Sequence, residues 1–227
     1  MQVVGIDPAL KNTAIAFITR DDEGKLNVST MHLTDLLAGD YTKALKEISD
    51  NKTPDIYCGF VEDFSKVGGG KTNKDSIKAV SHSGGMAEEA IVAAGIPLMP
   101  IEVGKWRKVL FGKAPKSLNK SGKYHCYWTK GGPSPVRVPN NLAAPLLRLL
   151  NDIRGGKIHE NAKYHKLPDT NLVNFDDFEH VLDWLNHHYV TSKRIQIVFG
   201  VSMDELEAFG IAMAGLKLLE EGKIEGM

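Results

Sequence analysis

Cysteine is nearly missing from this chain. Cys58 and Cys126 are the only two in 227 residues, which rules out a disulfide framework and leaves no CxxC pair for zinc or redox chemistry. Long apolar runs are missing as well. Nothing approaches the roughly 18 consecutive residues of a membrane span, and no charged-then-apolar leader opens the sequence. The expectation is a cytoplasmic protein with no membrane partner. An excess of one charge is also absent, because 28 Lys and Arg balance 28 Asp and Glu. Net charge by itself therefore names no polyanionic partner.

Two motifs that invite a reading each lack a necessary member. "KVGGGKT" (Lys66 to Thr72) follows an apolar run, but a phosphate-binding loop needs a glycine five residues before Gly70. That position is Ser65, which excludes an NTPase loop. The histidines His180, His187 and His188, with "HENAKYH" from His159 to His165, never reach zinc-ligand spacing.

What is present is ordinary in bulk and uneven in detail. Hydrophobic residues make up 42% and charged residues 25%, enough for a full core in a soluble globular chain. Val3 to Ile6, Thr13 to Ile18 and Leu26 to Leu33 are short β-rich runs separated by turn residues. Leu45 and Ile48 give Tyr41 to Ser49 a helical spacing. Asp55 to Val61 has the pattern of a central strand. Three antiparallel strands, a helix and a parallel fourth strand predict an α+β or α/β core. Beyond the glycines at 68, 69 and 70 the pattern gives a helix over Ser76 to Ala94, a strand over Leu98 to Val103 and a short helix over Lys105 to Leu110. Lys113 to Val138, rich in Lys, Gly and Pro, reads as a long loop or irregular insertion. Helices over Leu142 to Ile153 and Phe175 to His188, a strand over Ile195 to Val198 and a final helix over Met203 to Glu220 complete the expectation. No linker divides the chain, so a single domain over 1–227 is expected, with an insertion at about 113–202.

The carboxylates have an unusual placement. Asp7 ends the first strand in "VVGIDPALKNTAIAF". Glu62 ends "DIYCGFVEDF", and Asp204, Glu205 and Glu207 open the apolar helix "MDELEAFGIAMAGLKLL". Asp204 and Glu207, three apart, share a helix face. Taken singly, each has an ordinary explanation: Asp7 as a turn residue, Asp204 and Glu205 as a helix cap. Gathered at one sheet edge, four such groups would repel each other unless cations stood between them. Hard oxygen ligands suit Mg²⁺ or Mn²⁺, and a pair of such ions serves phosphodiester hydrolysis.

"GIDPALKNTAIAF", the strand ending in Glu62 and "DELEAFGIA" together resemble the RuvC-type Holliday junction resolvases of the ribonuclease-H-like superfamily. The resemblance covers roughly Met1 to Gly112 and Met203 to Gly222. It implies a mixed five-stranded sheet flanked by helices, with a long insertion before the last helix. It also implies a crossover junction endodeoxyribonuclease, with Asp7, Glu62, Asp204 and Glu207 as the catalytic and metal-binding set for two Mg²⁺ ions, Mn²⁺ substituting. The implied products carry 5′-phosphate and 3′-hydroxyl ends, and the implied partner is a four-way junction or other branched DNA. A near two-fold junction favours a homodimer, and the resemblance places the dimer helix at Ser76 to Ala94, where Ile77, Val80, Ile91 and Val92 either supply an interface or pack on the sheet. Ala9 stands where the family usually has glycine, and Glu207 where it has aspartate. The missing glycine and the long insertion suggest a bacteriophage-like member acting in its host's cytoplasm, in recombination or repair. Other readings of the same residues are a non-catalytic branched-DNA-binding protein, and a nuclease for RNA–DNA hybrids or flaps.

The balanced charge conceals one basic span. From Val103 to Asn151 there is no Asp or Glu, while Lys105, Arg107, Lys108, Lys113, Lys116, Lys120, Lys123, Lys130, Arg137 and Arg148 fall within it. Phosphate backbones bind such surfaces through counterion release. Tyr124, Tyr127 and Trp128 are interleaved and suit stacking on unpaired bases. Candidate DNA contacts are Lys71, Lys74, Lys105, Arg107, Lys108, Lys113, Lys116, Lys120 and Lys123. Arg107 is placed by the resemblance near the catalytic face, and Phe64 resembles an aromatic near the junction centre or is a packing residue. Trp106 is open to a core role.

Overall fold

The computed structural model describes residues 1–9, 12–34, 48, 50, 56–63, 74–112, 126–129, 132–135, 142–163, 177–187 and 192–224. It divides into two compact units, Met1–Gly112 with Glu207–Met227, and Lys113–Leu206.

The first unit is built on a five-stranded sheet in the order β3-β2-β1-β4-β5. Strands β1 (Gln2–Asp7), β2 (Asn12–Arg20) and β3 (Leu26–Thr34) form an antiparallel meander. Strands β4 (Ile56–Asp63) and β5 (Leu98–Glu102) extend it in parallel to β1. Every residue of β1 is buried, as a strand covered on both faces must be. Helix α1 (Lys74–Ala93) forms the crossover between β4 and β5, and helix α2 (Val103–Phe111) follows β5 without a loop. The mixed sheet and its three-antiparallel-plus-parallel layout match the expectation.

The period-2 alternation of the strands assigns each face a helix. Val4, Ile6, Ile15, Phe17 and Val61 join Met86, Ala87, Ala90 and Ile91 of α1 in one cluster, so Ile91 is a core residue, while Val92 is exposed. Across the sheet, the face carrying Gly5 and Phe60 meets the long final helix, α7 (Met203–Glu220). A Cβ on Gly5 would stand 2.5 Å from both Ala208 O and Ala212 N, and one on Gly215 would stand 2.3 Å from the Phe60 ring. Small residues here let the helix backbone lie directly on the strands. That close approach fixes how α7, from Glu207 onward, lies on the strands of this unit.

The second unit holds a hairpin of β6 (Cys126–Thr129) and β7 (Gly132–Pro135), then helices α3 (Ala143–Ile153), α4 (Lys157–Asn161), α5 (Phe178–His187) and α6 (Ser192–Phe199). Two expectations are corrected. Ile195 to Val198 is helical rather than a strand: Ile195, Val198 and Phe199 are buried and Ile197 is exposed, a period of 3.6 rather than 2, and Gly200 follows at φ 71°. Part of the Lys113 to Val138 stretch is a hairpin rather than loop, registered from Cys126↔Pro135 to Thr129↔Gly132. Among the described residues no helix is long and apolar enough to cross a membrane.

Candidate active site

The parallel register of β1 and β4 runs to Ile6↔Val61, so the next pair outward is Asp7 and Glu62. Both occupy the C-terminal ends of adjacent parallel strands, the edge where α/β sheets present ligands. Both lie on the face that carries Gly5 and Phe60, toward α7. Asp63 is turned by alternation to the α1 side, where its charge, after burial, helps raise the pKa of Glu88.

Asp7 is a held residue rather than an incidental turn. Its successor Pro8 is buried, and the Ala9 carbonyl accepts hydrogen bonds from Ser83 Oγ at 2.9 Å and Thr13 Oγ1 at 3.4 Å. Helix α1 and strand β2 thus clamp the backbone just past the carboxylate.

Asp7 and Glu62 are 6% and 3% exposed, and their side chains share a hydrogen bond. Burial drives the Glu62 carboxyl above its ordinary range; the Trp106 N–H, the Arg107 charge and the bond to Asp7 pull in the opposite direction without cancelling it. Two buried carboxyls side by side share a proton or accept a cation. Trp106 Nε1 donates to Glu62 Oε1 at 2.7 Å, from an indole that is 0% exposed. The topology delivers it there: Ile101 pairs with Glu62 in the β4–β5 ladder, and α2 begins two residues later.

The neighbouring Arg107 links this pair to α7. Its Nη2 lies 3.5 Å from Glu207 Oε1, its guanidinium is 5.1 Å from the Trp106 ring centroid, and its charge acts on Glu62. Lys217 Nζ, further along α7, donates to Val109 O of α2 at 3.2 Å. Helices α2 and α7 are therefore tied at two points.

The acidic opening of α7 resolves into separate jobs. Ser202 N donates to Glu205 Oε2 at 2.8 Å, and Glu205 N donates to Ser202 Oγ at 3.1 Å, the reciprocal arrangement of a capping box. Of the two acids that the sequence offers as a helix cap, Glu205 is engaged with Ser202 in this box. Asp204 lies one turn before Ala208, on the stripe that continues through Ala212 and Gly215. Glu207 is three residues on and shares its side of the helix.

The donor chemistry of the Asp7–Glu62 pair fits a hard divalent cation, since an ion between two adjacent buried carboxylates would offset their repulsion. Among the described residues, no group of three or more His, Cys, Asp or Glu is gathered closely enough to hold a metal ion.

The candidate DNA contacts divide by position. Lys105 and Lys108 are exposed on α2, and Arg107 is partly buried beside Glu207. Lys74 begins α1, its side chain outside the described residues; Phe64, Lys71, Lys113, Lys116, Lys120 and Lys123 lie outside them altogether. So do Tyr124 and the side chains of Ile77, Val80, Tyr127 and Trp128. Arg148 pairs with Glu179, which removes it from the set of unengaged cations. Sequence reasoning missed Trp106 as a partner of Glu62. The available signal was a tryptophan directly after a strand neighbouring the acidic one, since a buried indole N–H needs an acceptor.

No protein-family model and no curated protein matches the sequence. The fold, however, has solved counterparts. The RuvC structure of Thermus thermophilus superimposes with a TM-score of 0.54 at 11% identity, covering 100% of both chains. T. thermophilus RuvC in complex with its Holliday junction substrate gives a TM-score of 0.47 at 10% identity, covering 100% of both chains. The yeast mitochondrial Holliday junction resolvase Ydc2 gives 0.46 at 15%, covering 97% of this chain and 80% of that one. Identity at this level speaks to architecture, and the first of these comparisons agrees with the strand order and the flanking helices: the chain has a RuvC-like, ribonuclease-H-like fold, a mixed five-stranded sheet flanked by helices.

Proposed function

We propose that this protein is a metal-dependent, structure-selective endodeoxyribonuclease that cuts four-way junctions or other branched DNA. The observation that carries the proposal is the buried, hydrogen-bonded Asp7–Glu62 pair at adjacent parallel strand ends, on the face that α7 covers in a RuvC-like fold. A lone carboxylate at a turn would not be buried against a second one.

In this reading Asp7 and Glu62 would supply the first ligands, and Asp204 and Glu207 would complete the set for two Mg²⁺ or Mn²⁺ ions only when the ions draw the four together. When bound, such ions supply a water of lowered pKa and charge stabilisation at the leaving oxygen. The chain's own residues do the rest. Asp7 and Glu62, on rigid strand ends, define one side of the site. Arg107, held by Glu207, is positioned to pair with a phosphate oxygen. Lys105 and Lys108, exposed on the same short helix, attract the backbone. Cutting opposing strands of a near two-fold junction would suit a homodimer.

The test is to incubate a mobile four-way junction, a linear duplex and an RNA–DNA hybrid with the protein, in Mg²⁺ and in EDTA. Paired nicks in the junction that require Mg²⁺ are expected. Binding without cutting in Mg²⁺ or Mn²⁺ would leave a junction-binding protein, and preferential cutting of the hybrid would move the assignment to another ribonuclease-H-like activity.

The opening of α7 offers a sharper comparison. Glu205→Ala breaks the capping box and is expected to cost about 1 kcal/mol of stability, with cutting of the folded protein nearly unchanged. Asp204→Asn is expected to behave in reverse, with little change in stability and a loss of cutting of about 100-fold or more. Urea melts beside single-turnover cleavage separate the two; equal effects on cleavage would remove Asp204 from the site.

A further inference from the structure

The tryptophan beside the acidic pair is more than core filling. We propose that Trp106 is the positioning residue of Glu62, fixing the orientation in which that carboxylate meets a divalent ion; the assignment rests on the nuclease reading above. Three features of the contact carry it. The donor and acceptor are 2.7 Å apart, the short end of the N–H to oxygen range. The indole is 0% exposed and Glu62 3%, so the contact is shielded from bulk solvent. And the indole N–H is a donor without an acceptor function, so it orients the carboxylate and favours its charged form without exchanging protons with it.

The rigid mounting of the donor matters equally. Trp106 sits in α2, which leaves β5 directly beside Glu62 and is tied to α7 through the Arg107–Glu207 ion pair and the Lys217–Val109 hydrogen bond. A large ring with two side-chain torsions, packed on all sides, holds its N–H in place at little entropic cost. Outer groups of this kind commonly account for 10- to 100-fold in metal affinity.

A packing role and a positioning role differ in what they change. Trp106→Phe keeps a ring and removes the donor. Mn²⁺ binding to the full chain, followed by calorimetry and by the free-ion paramagnetic resonance signal, is expected to weaken about 10-fold or more in this variant. Junction binding in EDTA is expected to stay within about twofold, since the N–H faces a carboxylate rather than DNA. In a Glu62→Gln background, Trp106→Phe is expected to have no further effect on Mn²⁺ affinity, because the group it positions has already lost its charge. Equal Mn²⁺ affinities for wild type and Trp106→Phe would overturn the assignment and leave the nuclease reading standing. A wild type that binds no Mn²⁺ would sink that reading and the assignment with it.

A second measurement does not depend on the variant folding. With ¹⁵N-indole labelling, the Trp106 N–H resonance is assigned by elimination, using Trp128→Phe and Trp184→Phe. It is expected to be protected from solvent exchange and to shift on Mg²⁺ addition with the midpoint of Mg²⁺ binding. A resonance indifferent to bound Mg²⁺ would overturn the proposal.

Discussion

Asp7→Asn and Glu62→Gln are each expected to lower junction cutting by about 10³-fold or more while leaving junction binding within about twofold. Both carboxylates are buried, and each substitution removes a charge with little change in shape. Retention of cutting by both variants would end the assignment of the strand-end pair as the reacting centre. The same variants have a thermodynamic signature in EDTA. The folded state keeps a proton on Glu62 to higher pH than the unfolded chain does, because burial raises that carboxyl. The folded state therefore binds more protons between the ordinary glutamate pKa of about 4.3 and the raised one. The stability from that protonation is complete below the window and is lost as pH rises through it. Thermal melts of the metal-free wild type are thus expected to lose this contribution as pH climbs from the ordinary carboxylate range. Glu62→Gln, which has no proton to lose, is expected to show a shallower decline. A decline of equal steepness in both proteins would argue against the buried pair as its source.

The largest effect on stability is expected at Gly5. Its missing side chain is what allows α7 to lie on β1: an added Cβ would meet the Ala208 carbonyl oxygen and the Ala212 nitrogen at 2.5 Å, and the Ala212 Cβ at 2.7 Å. Two of these are backbone atoms and cannot rotate aside. Gly5→Ala is therefore expected to cost about 3 kcal/mol, read as a lower urea midpoint at unchanged slope. Cutting by the fraction that remains folded is expected to fall too, since α7 carries Glu207 and shifts as a body. The control is Gly104→Ala on α2, where nothing lies within 4 Å of the added methyl. There the helix gains roughly 0.5–1 kcal/mol from the lost glycine. If Gly5→Ala melts like the control, the close approach of strand and helix is not what holds the unit together.

Much of the first unit was legible because its sequence punctuates itself. Turn residues bound the β-rich runs, Gly95 and Pro97 close α1, and the acids stand at the ends of apolar segments rather than within charged ones. The strand order follows once β1 and β4 are parallel neighbours. The Ile195 to Val198 run misled because four apolar-rich residues cannot separate a period of 2 from one of 3.6; the buried Phe199 and the glycine after it decide for a helix. The β6–β7 hairpin was hidden by Pro133 and Pro135, which argue against a central strand but not against a two-stranded ribbon with an unpaired outer edge. At the site, the candidate carboxylates could be named from position, yet their partners could not. The Trp106 bond to Glu62 and the Arg107 pairing with Glu207 join residues that no local pattern connects. Only the Ser202–Glu205 box was written locally, and there the sequence offered both Asp204 and Glu205 as the cap.

The way β1 and β4 align has a consequence for how such a chain varies over evolutionary time. Asp7 and Glu62 stand together because each is the last step of a strand counted from the sheet, with one irregularity between Gln2 and Val3 absorbing the extra residue at Tyr57. The stretch from β3 to β4 does not enter that count. One more residue between Tyr57 and Glu62, by contrast, would turn the glutamate to the α1 side among aliphatic neighbours. Lineages of this architecture would diverge in spacing while conserving parity, so that relatives are better sought by aligning strand ends than by matching intervals along the chain.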